Sequence, residues 1–266
     1  MALTLQTFPT SDAAAAALAA DGAARYLGGG TLVVRDANEG DVTFSSYIRT
    51  TDPALSAVTV TGGRAKLGAS VTMGRIIADE RLECLTKAAH SVGGPAIRNM
   101  ATVGGNLFAP APYGDLGVAL LALDAAVEIG GASVPLARFL KERDTAHARS
   151  VVKSISFALP NTDAFRFIKV SRIKPKGVSV ITIAAVLEES GGAITSARIA
   201  YGCMADRPIR ATAAEGALVG KPRTAEGIRD ALKVASEGTD PITDAIASAW
   251  YRTQVLPVHL GRLLLA

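Results

Sequence analysis

Apolar-rich runs of strand length recur along the chain's second half, and this pattern predicts strands. Residues 151–159 alternate as a strand does and end at a Pro-Asn-Thr-Asp sequence that is typical of a turn. Further strands are predicted at residues 165–170, 180–187 and 195–201. The pair Gly191-Gly192 separates the last two, which predicts an antiparallel hairpin. We therefore place a boundary after residue 160 and expect a small antiparallel sheet beyond it.

Helical spacing of apolar residues appears elsewhere in the chain. An alanine-rich stretch at residues 13–20 is predicted as a helix that Ser11 and Asp12 cap. The other predicted helices are residues 73–78, 81–92, 116–123, 211–219, 224–235 and 243 to about 265. Shorter strands are predicted at residues 25–27, 66–72 and 126–129. The mixture of both periods indicates an α+β fold.

Residues 93–115 show neither the apolar pattern of a strand nor that of a helix. Five glycines and three prolines lie there among polar residues, so we expect a long irregular segment. Irregular segments of this length inside a compact domain are usually functional. Regular structure resumes with the helix at residues 116–123, which Asp115 is placed to cap.

The composition supports a folded core and argues against nucleic-acid binding. The 266 residues are 49% apolar and 20% charged, which supports a substantial core. The net charge of +4 is spread along the chain, apart from a cluster at Lys169, Arg172, Lys174 and Lys176. No basic run alternates with aromatic residues, so we predict no nucleic-acid binding. For Lys174 and Lys176, a solvated surface turn is an alternative to a functional role.

The cysteines and the hydropathy of the chain indicate which metal sites, membrane segments and location to expect. Cys84 and Cys203 are far apart and form no CxxC pattern, so we predict two free thiols and neither a zinc nor an iron–sulfur site in this chain. The N-terminus does not resemble a signal peptide, and no apolar run is long enough to span a membrane. We therefore predict a cytoplasmic protein.

The segment Thr102-Val103-Gly104-Gly105-Asn106 combines a hydroxyl, an amide and two glycines. Glycines permit close backbone approach and positive φ, which lets N–H groups converge on an anion. We predict that this segment holds a pyrophosphate, and that Asp115 accepts hydrogen bonds from ribose hydroxyls of the same ligand. The alternative is that the glycines form ordinary turns and that Asp115 is only a helix cap.

The same region carries a family resemblance. The sequence Ile97-Arg98-Asn99-x-x-Thr102-Val103-Gly104-Gly105-Asn106, followed by Ala111-Pro112-x-x-Asp115-Leu116, resembles the FAD-binding subunits of molybdenum hydroxylases. The family includes the medium subunit of carbon monoxide dehydrogenase and the flavin domain of xanthine dehydrogenase. The resemblance extends to Leu27-Gly28-Gly29-Gly30-Thr31, to Lys169-x-x-Arg172, to the Tyr201–Ala205 turn and to the terminal helix with Tyr251-Arg252.

The resemblance implies which residues contact FAD. The implied set is Gly28, Gly29, Gly30, Thr31, Leu32, Thr102, Val103, Gly104, Gly105, Asn106, Asp115, Val152 and Lys169. Asp115 would bind the adenosine end, and Lys169 would lie near the flavin ring. Val92 falls where a family member can place an aromatic residue beside the flavin. Two departures concern flavin tuning: Leu32 replaces the usual Asp or Ser, and residues 174–178 lack the usual acidic residue.

The resemblance also implies an architecture and partners. We expect a two-subdomain FAD-binding fold of the PCMH type at residues 1–160, followed by a C-terminal antiparallel sheet packed with helices at residues 161–266. Partner subunits would be a small [2Fe–2S] protein and a large molybdopterin protein, in a heterotrimer or a dimer of heterotrimers. Electrons would pass from their molybdenum and iron–sulfur centres through FAD to an external acceptor. The alternatives are a stand-alone flavin-dependent reductase or oxidase of the same superfamily, and a scaffold that has lost FAD.

Overall fold

The computed structural model describes residues 3–173 and 177–266, and it shows the predicted α+β fold. Three sheets, each with its own layer of helices, follow one another along the chain. We call them the N-terminal lobe (residues 4–50), the middle lobe (residues 58–158) and the C-terminal lobe (residues 165–265). Lys174 and Lys176 lie outside the described residues.

The N-terminal lobe is a parallel sheet with one helix packed on it. Strands β1 (Thr4–Phe8), β2 (Ala24–Tyr26) and β3 (Ser46–Thr50) lie in the order β1-β3-β2. Helix α1 (Ser11–Ala20) buries Ala14 and Leu18. Its N-cap is Thr10, whose hydroxyl accepts from the Ala13 N–H. The prediction that Ser11 and Asp12 cap this helix was therefore wrong, because both already lie in its first turn. Helix α2 (Val33–Asn38) follows residues 28–32, which we call the first glycine segment.

The middle lobe is a five-stranded sheet in which every pairing is antiparallel. Its strands are β4 (Val58–Thr61), β5 (Arg64–Gly68), β6 (Ala126–Ile129), β7 (Ala132–Pro135) and β8 (Val152–Ala158), in the order β4-β5-β8-β6-β7. The predicted strand at residues 66–72 is shifted, because Val71 and Thr72 leave the sheet to contact residues 100–106, which we call the second glycine segment.

Six helices belong to the middle lobe. They are α3 (Met73–Ile77), α4 (Glu83–Ser91), α5 (Pro95–Met100), α6 (Val103–Phe108), α7 (Asp115–Ala122) and α8 (Leu136–Glu142). The prediction that residues 93–115 are irregular was wrong in part, because α5 and α6 lie within this segment. Pro95 starts α5 at a position where its missing N–H costs nothing, and the Thr102 hydroxyl caps α6. Both helices are too short to show a clear apolar period.

The C-terminal lobe is an antiparallel sheet covered by helices. Its strands are β9 (Phe165–Ser171), β10 (Ser179–Ser190), β11 (Ala193–Gly202) and β12 (Ile209–Arg210), in the order β12-β11-β10-β9. The predicted hairpin is confirmed, with Gly191 and Gly192 both at positive φ in its turn. The helices are α9 (Thr212–Leu218), α10 (Arg229–Lys233) and α11 (Ala249–Leu265).

Two of these helices are shorter than predicted, because polar side chains take the backbone donors before them. The Thr224 hydroxyl accepts from the Gly227 N–H and forms a turn ahead of α10. Asp244 accepts from the N–H groups of Ile246 and Ala247, and Ser248 then caps α11. The lengths predicted from apolar spacing were therefore too great at both N-terminal ends.

Helix α7 joins the middle and C-terminal lobes. All eight of its residues are buried, which is expected of a helix that is apolar on every side. It packs against α4 and α6 on one side and against β10 and β11 on the other. Ala184 and Ala200 of the C-terminal sheet consequently belong to the same core as the middle lobe. This packing fixes the position of Asp115, the first residue of α7.

Candidate functional site

A cavity of about 820 Å³ opens where residues of the three lobes meet. Both glycine segments line it, one from the N-terminal lobe and one from the middle lobe, and Lys169 reaches it from β9. The predicted site residues on its wall are Gly28, Gly29, Gly30, Thr31, Leu32, Thr102, Gly104, Gly105, Asn106, Asp115, Val152 and Lys169. Val92 also lines the cavity. Segments up to about 140 residues apart in sequence thus face one space.

Val103 is the exception among the predicted residues. Its side chain is fully buried in the core of the middle lobe, and it does not line the cavity. Its N–H donates to the Val71 carbonyl at 2.9 Å. Val103 therefore anchors the second glycine segment from behind rather than facing the cavity.

The two glycine segments touch through their backbones. A Cβ atom on Gly29 would lie 1.8 Å from the Met100 carbonyl oxygen, and one on Gly28 would lie 3.1 Å from the Thr102 hydroxyl oxygen. Any side chain at Gly29 would overlap the backbone of the second segment. Gly30 has a positive φ of 73°, a conformation that other residues rarely adopt. The glycines of the first segment are thus required for the two walls of the cavity to meet.

The first segment presents free backbone donors. Within the described part of the chain, the N–H groups of residues 28–32 have no hydrogen-bond acceptor, although Leu27 just before them donates to the Ile48 carbonyl. Five successive donors without a protein partner at the wall of a cavity form a site suited to an anion.

The second segment does not supply free N–H groups. The Gly104 N–H donates to the Ala69 carbonyl at 2.8 Å, and the Gly105 N–H donates to the Thr102 hydroxyl at 3.1 Å. The expectation that the N–H groups of Gly104 and Gly105 converge on an anion was therefore wrong, because both already donate within the protein and hold α6 in place. The glycines serve close packing instead: a Cβ on Gly104 would lie 3.0 Å from the Ala69 Cβ.

Side chains of the second segment remain available. The Asn106 Oδ1 accepts from the Gly117 N–H at 3.1 Å, which fixes the orientation of the amide. The amide NH₂ has no acceptor among the described residues, and Asn106 lines the cavity. Because the Thr102 Oγ1 already accepts from Gly105, the hydrogen of this hydroxyl is free to be donated.

Asp115 and Lys169 form one buried polar cluster. The Lys169 ammonium lies 2.9 Å from the Asp115 Oδ2 and donates to the Ser91 carbonyl at the end of α4, also at 2.9 Å. The Asp115 Oδ1 accepts from the hydroxyls of Ser179 and Thr182, both buried. The N-cap of α7 is Gly114, so the alternative that Asp115 is a helix cap was wrong.

This contact bears on the predicted division of roles. Asp115 at the adenosine end and Lys169 at the flavin ring would place the two side chains at opposite ends of an extended dinucleotide. The ion pair places the two charged groups side by side, and their contacts with FAD stay a prediction. In addition, the Asp115 carboxylate compensates the Lys169 charge, so the ligand meets a neutral pair rather than an isolated cation.

Sequence reasoning missed several residues of the cavity wall. Arg25, Tyr26 and Arg149 line the part formed by the N-terminal lobe, and Arg35 and Tyr113 face each other across another part. The Arg149 guanidinium donates to the carbonyls of Leu18 and Asp21 at the end of α1. Burial, assisted by the Asp52 charge, raises the pKa of Tyr26 to about 12, so its hydroxyl remains a donor. None of these residues stands in a motif, so no sequence signal marked them.

The family comparison agrees with this geometry. The FAD-binding domain of molybdopterin dehydrogenases matches residues 5–161, and the C-terminal domain of CO dehydrogenase flavoproteins matches residues 166–266. The chain belongs to the FAD-binding subunits of the molybdenum hydroxylases. The FAD-binding subunit is thus a member of an oxidoreductase family, as its sequence predicted.

Individual relatives are similar over much of their length. The glyceraldehyde dehydrogenase medium chain of Sulfolobus acidocaldarius is 26% identical over 187 residues, which are 68% of this chain and 66% of the relative. The nicotinate dehydrogenase FAD-subunit of Eubacterium barkeri is 30% identical over 184 residues, 65% of this chain and 62% of the relative. The matched region thus spans slightly less than two thirds of these relatives.

A solved structure supports the fold. Carbon monoxide dehydrogenase from Hydrogenophaga pseudoflava, in a form that lacks the Mo-pyranopterin moiety of its molybdenum cofactor, superposes with a TM-score of 0.90. The superposition covers 99% of the FAD-binding subunit and 96% of that chain, at 22% identity.

No helix among the described residues is long and apolar enough to cross a membrane, and a cytoplasmic location stays a prediction.

The charges of the cavity fit the cofactor of this family. The described lining residues carry four cations, on Arg25, Arg35, Arg149 and Lys169, and two anions, on Asp36 and Asp115. The balance of two positive charges matches the two negative charges of a pyrophosphate. Together with the free N–H groups of residues 28–32, this balance makes the cavity of the FAD-binding subunit suited to a dinucleotide.

Proposed function

We propose that the chain binds FAD in this cavity and passes electrons from partner-bound [2Fe–2S] clusters to an external acceptor. The observation that carries the proposal is the junction of the two glycine segments, where Gly29 packs against the Met100 carbonyl. Residues 28–32 line the cavity there, and their N–H groups have no acceptor among the described residues. Bound FAD would supply the redox chemistry, and the residues of the chain would supply position and electrostatics.

The proposed roles follow from the positions of the side chains. Residues 28–32 would bind the pyrophosphate through backbone N–H groups, with Thr102 and Asn106 donating from the facing segment. Lys169 and Asp115 would both lie at the flavin end, where an ammonium and a carboxylate match a ring edge that accepts and donates hydrogen bonds. The N-terminal lobe, with Tyr26 and Arg149, would then hold the adenosine end. Val152 and Leu32 would contribute apolar contacts.

The wider assembly is part of the proposal. We assign residues 1–160 to an FAD-binding domain and residues 161–266 to a C-terminal domain, close to the limits of the two family matches. The partners would be a small [2Fe–2S] subunit and a large molybdopterin subunit, in a heterotrimer or a dimer of heterotrimers. Support comes from the relatives, which are named as a medium chain and an FAD-subunit.

Affinity purification of the tagged full-length chain from its native source tests the proposal. We expect two partner chains, with molybdenum, iron and one FAD per copy of this chain. A matched Gly29→Ala variant should keep both partners and their metals but lose FAD and the transfer of electrons to an acceptor dye. Purification of an active flavoprotein without partners would contradict the proposal and favour a stand-alone reductase or oxidase.

A further inference from the structure

Helix α2 forms a solvent-facing wall of the cavity and has no buried residue. Val33, Arg35 and Asp36 line the cavity, whereas Val34 is exposed. A short helix without a buried face gains little from packing, and its position therefore depends on individual side-chain contacts. Its N-terminal end adjoins the free N–H groups of residues 28–32, so a movement of α2 would open the anion site directly.

The opposing wall is a turn at residues 110–114, and it is firmly held. The Tyr113 N–H donates to the Pro110 carbonyl at 2.8 Å. Below the turn, the buried Arg143 guanidinium donates to the Leu107 and Ala109 carbonyls, each at 3.0 Å. The turn is continuous with α7, which is entirely buried. One wall of the cavity is thus anchored in the core, and the wall that faces it is not.

Arg35 and Tyr113 connect the two walls. The Arg35 guanidinium donates to the Tyr113 hydroxyl at 2.9 Å, and its central carbon lies 5.2 Å from the centre of the Tyr113 ring. The contact joins residues 78 positions apart and combines a hydrogen bond with a cation–π interaction. The Arg35 side chain is 41% exposed, and Tyr113 is 36% exposed. Water can therefore compete for both groups, so this contact can break without exposing any core.

Arg35 also has a second set of partners on its own helix. Its guanidinium lies 3.5 Å from carboxylate oxygens of Asp36 and Glu39, the latter one helical turn away. When the contact with Tyr113 breaks, these two carboxylates still compensate the charge of the guanidinium. Arg35 therefore keeps counter-charges on its own helix when its contact with Tyr113 breaks.

We propose that Arg35 and Tyr113 form a latch that closes α2 over a bound dinucleotide and opens to admit or release it. The proposal rests on the FAD site proposed above, but not on which end of FAD lies where. A latch lowers the rates of entry and exit together, because it adds the same barrier in both directions. A residue that only binds the ligand slows its exit and leaves its entry nearly unchanged.

Stopped-flow flavin fluorescence with the full-length apoprotein and FAD separates these cases. Tyr113→Ala removes both parts of the contact and keeps the charge of Arg35, whereas Tyr113→Phe removes the hydrogen bond but keeps the ring. We expect Tyr113→Ala to raise the association and dissociation rates alike, by about fivefold, with Kd changed by less than about twofold. Tyr113→Phe should have a smaller effect in the same direction.

Tyr251→Ala is the matched control, because it removes an exposed tyrosine that does not line the cavity. It should leave both rates unchanged. An increase in the dissociation rate alone, or rates that do not change in either latch variant, would overturn the latch and leave the FAD site intact. Absence of FAD binding by the wild-type chain would instead overturn the proposed function, and the latch with it.

Discussion

The Met100 carbonyl oxygen lies 1.8 Å from the point where a Cβ atom on Gly29 would stand. This relationship joins the two glycine segments of the cavity, one from the N-terminal lobe and one from the middle lobe. A methyl group at Gly29 would force the segments apart, because the Met100 backbone has no free rotation with which to yield. The distance between the two walls of the proposed pyrophosphate site therefore depends on one missing side chain.

Gly29→Ala should reduce FAD affinity by at least about fivefold, since overpacking of this kind costs about 1–3 kcal/mol. Equilibrium titration of the apoprotein with FAD, followed by flavin fluorescence, measures the effect. Gly22→Ala is the matched control, because a Cβ there would meet nothing within 4 Å. Equal affinities of the two variants would show that the contact between the segments does not matter for the ligand.

Thr102→Ala should destabilise the protein by about 1 kcal/mol, the usual effect of losing a helix N-cap. The Thr102 hydroxyl accepts from the Gly105 N–H at the start of α6. Thr102→Ser keeps this bond and should restore most of the stability. Urea denaturation of the three apoproteins compares their free energies of unfolding. A Ser variant as unstable as the Ala variant would assign the effect to the lost methyl group rather than to the cap.

Asp115→Ala should weaken FAD binding without abolishing it and should destabilise the protein by about 3 kcal/mol, because it leaves the half-buried Lys169 ammonium without its counter-charge. The double variant Asp115→Asn/Lys169→Met removes both charges and should be more stable than Asp115→Ala. Thermal denaturation of the apoproteins and FAD titration measure the two effects. A double variant less stable than Asp115→Ala would argue against a coupled pair.

The stability of the protein should fall in alkaline solution as a result of Cys84. Burial raises the pKa of the Cys84 thiol from 9.0 to about 11. Because the pKa is raised in the folded state, the stabilisation is fully present below pH 9.0 and is lost between pH 9.0 and about 11, as the unfolded chain ionises first.

Between pH 9.0 and about 11, one thiol lowers the free energy of unfolding by at most about 1.4 kcal/mol per pH unit. Free energies of unfolding at several pH values, compared between the wild type and Cys84→Ala, isolate the contribution of this residue. The variant should show a shallower decline above pH 9.0. Parallel curves would show that other groups, such as Tyr26 with its raised pKa, cause the alkaline loss.

Much of the fold follows from local patterns in the sequence. The strands and the hairpin of the C-terminal lobe were predicted because short apolar runs and the Gly191-Gly192 pair are local features of the sequence. Helices α5 and α6 were missed because six residues are too few to show a period. Their starts depend on Pro95 and on the Thr102 hydroxyl. A side-chain bond from Thr224 likewise shortens α10, and one from Asp244 shortens α11.

The candidate site likewise has one part that follows from sequence motifs and another that depends on tertiary contacts. The glycine segments, Asp115 and Lys169 stand in motifs, and the fold places them at one cavity. The sequence did not show that Asp115 and Lys169 touch, because their contact requires the packing of α7 on the C-terminal sheet. Nor did it show that the Gly104 and Gly105 N–H groups are already used, since their acceptors include Ala69, 35 residues before Gly104. Tertiary contacts therefore decide which of these polar groups are already paired inside the protein, and the sequence motifs alone do not show it.

The most direct test of the central claim is a fluorescence titration of the purified full-length apoprotein with FAD and, in parallel, with FMN, which lacks the second phosphate and the adenosine. We expect saturation at one FAD per chain and much weaker binding of FMN, because the net charge of +2 on the cavity wall and the free N–H groups of residues 28–32 match a pyrophosphate. Equal affinity for both flavins would contradict the proposed pyrophosphate site. Absence of saturable FAD binding would contradict the proposed function itself.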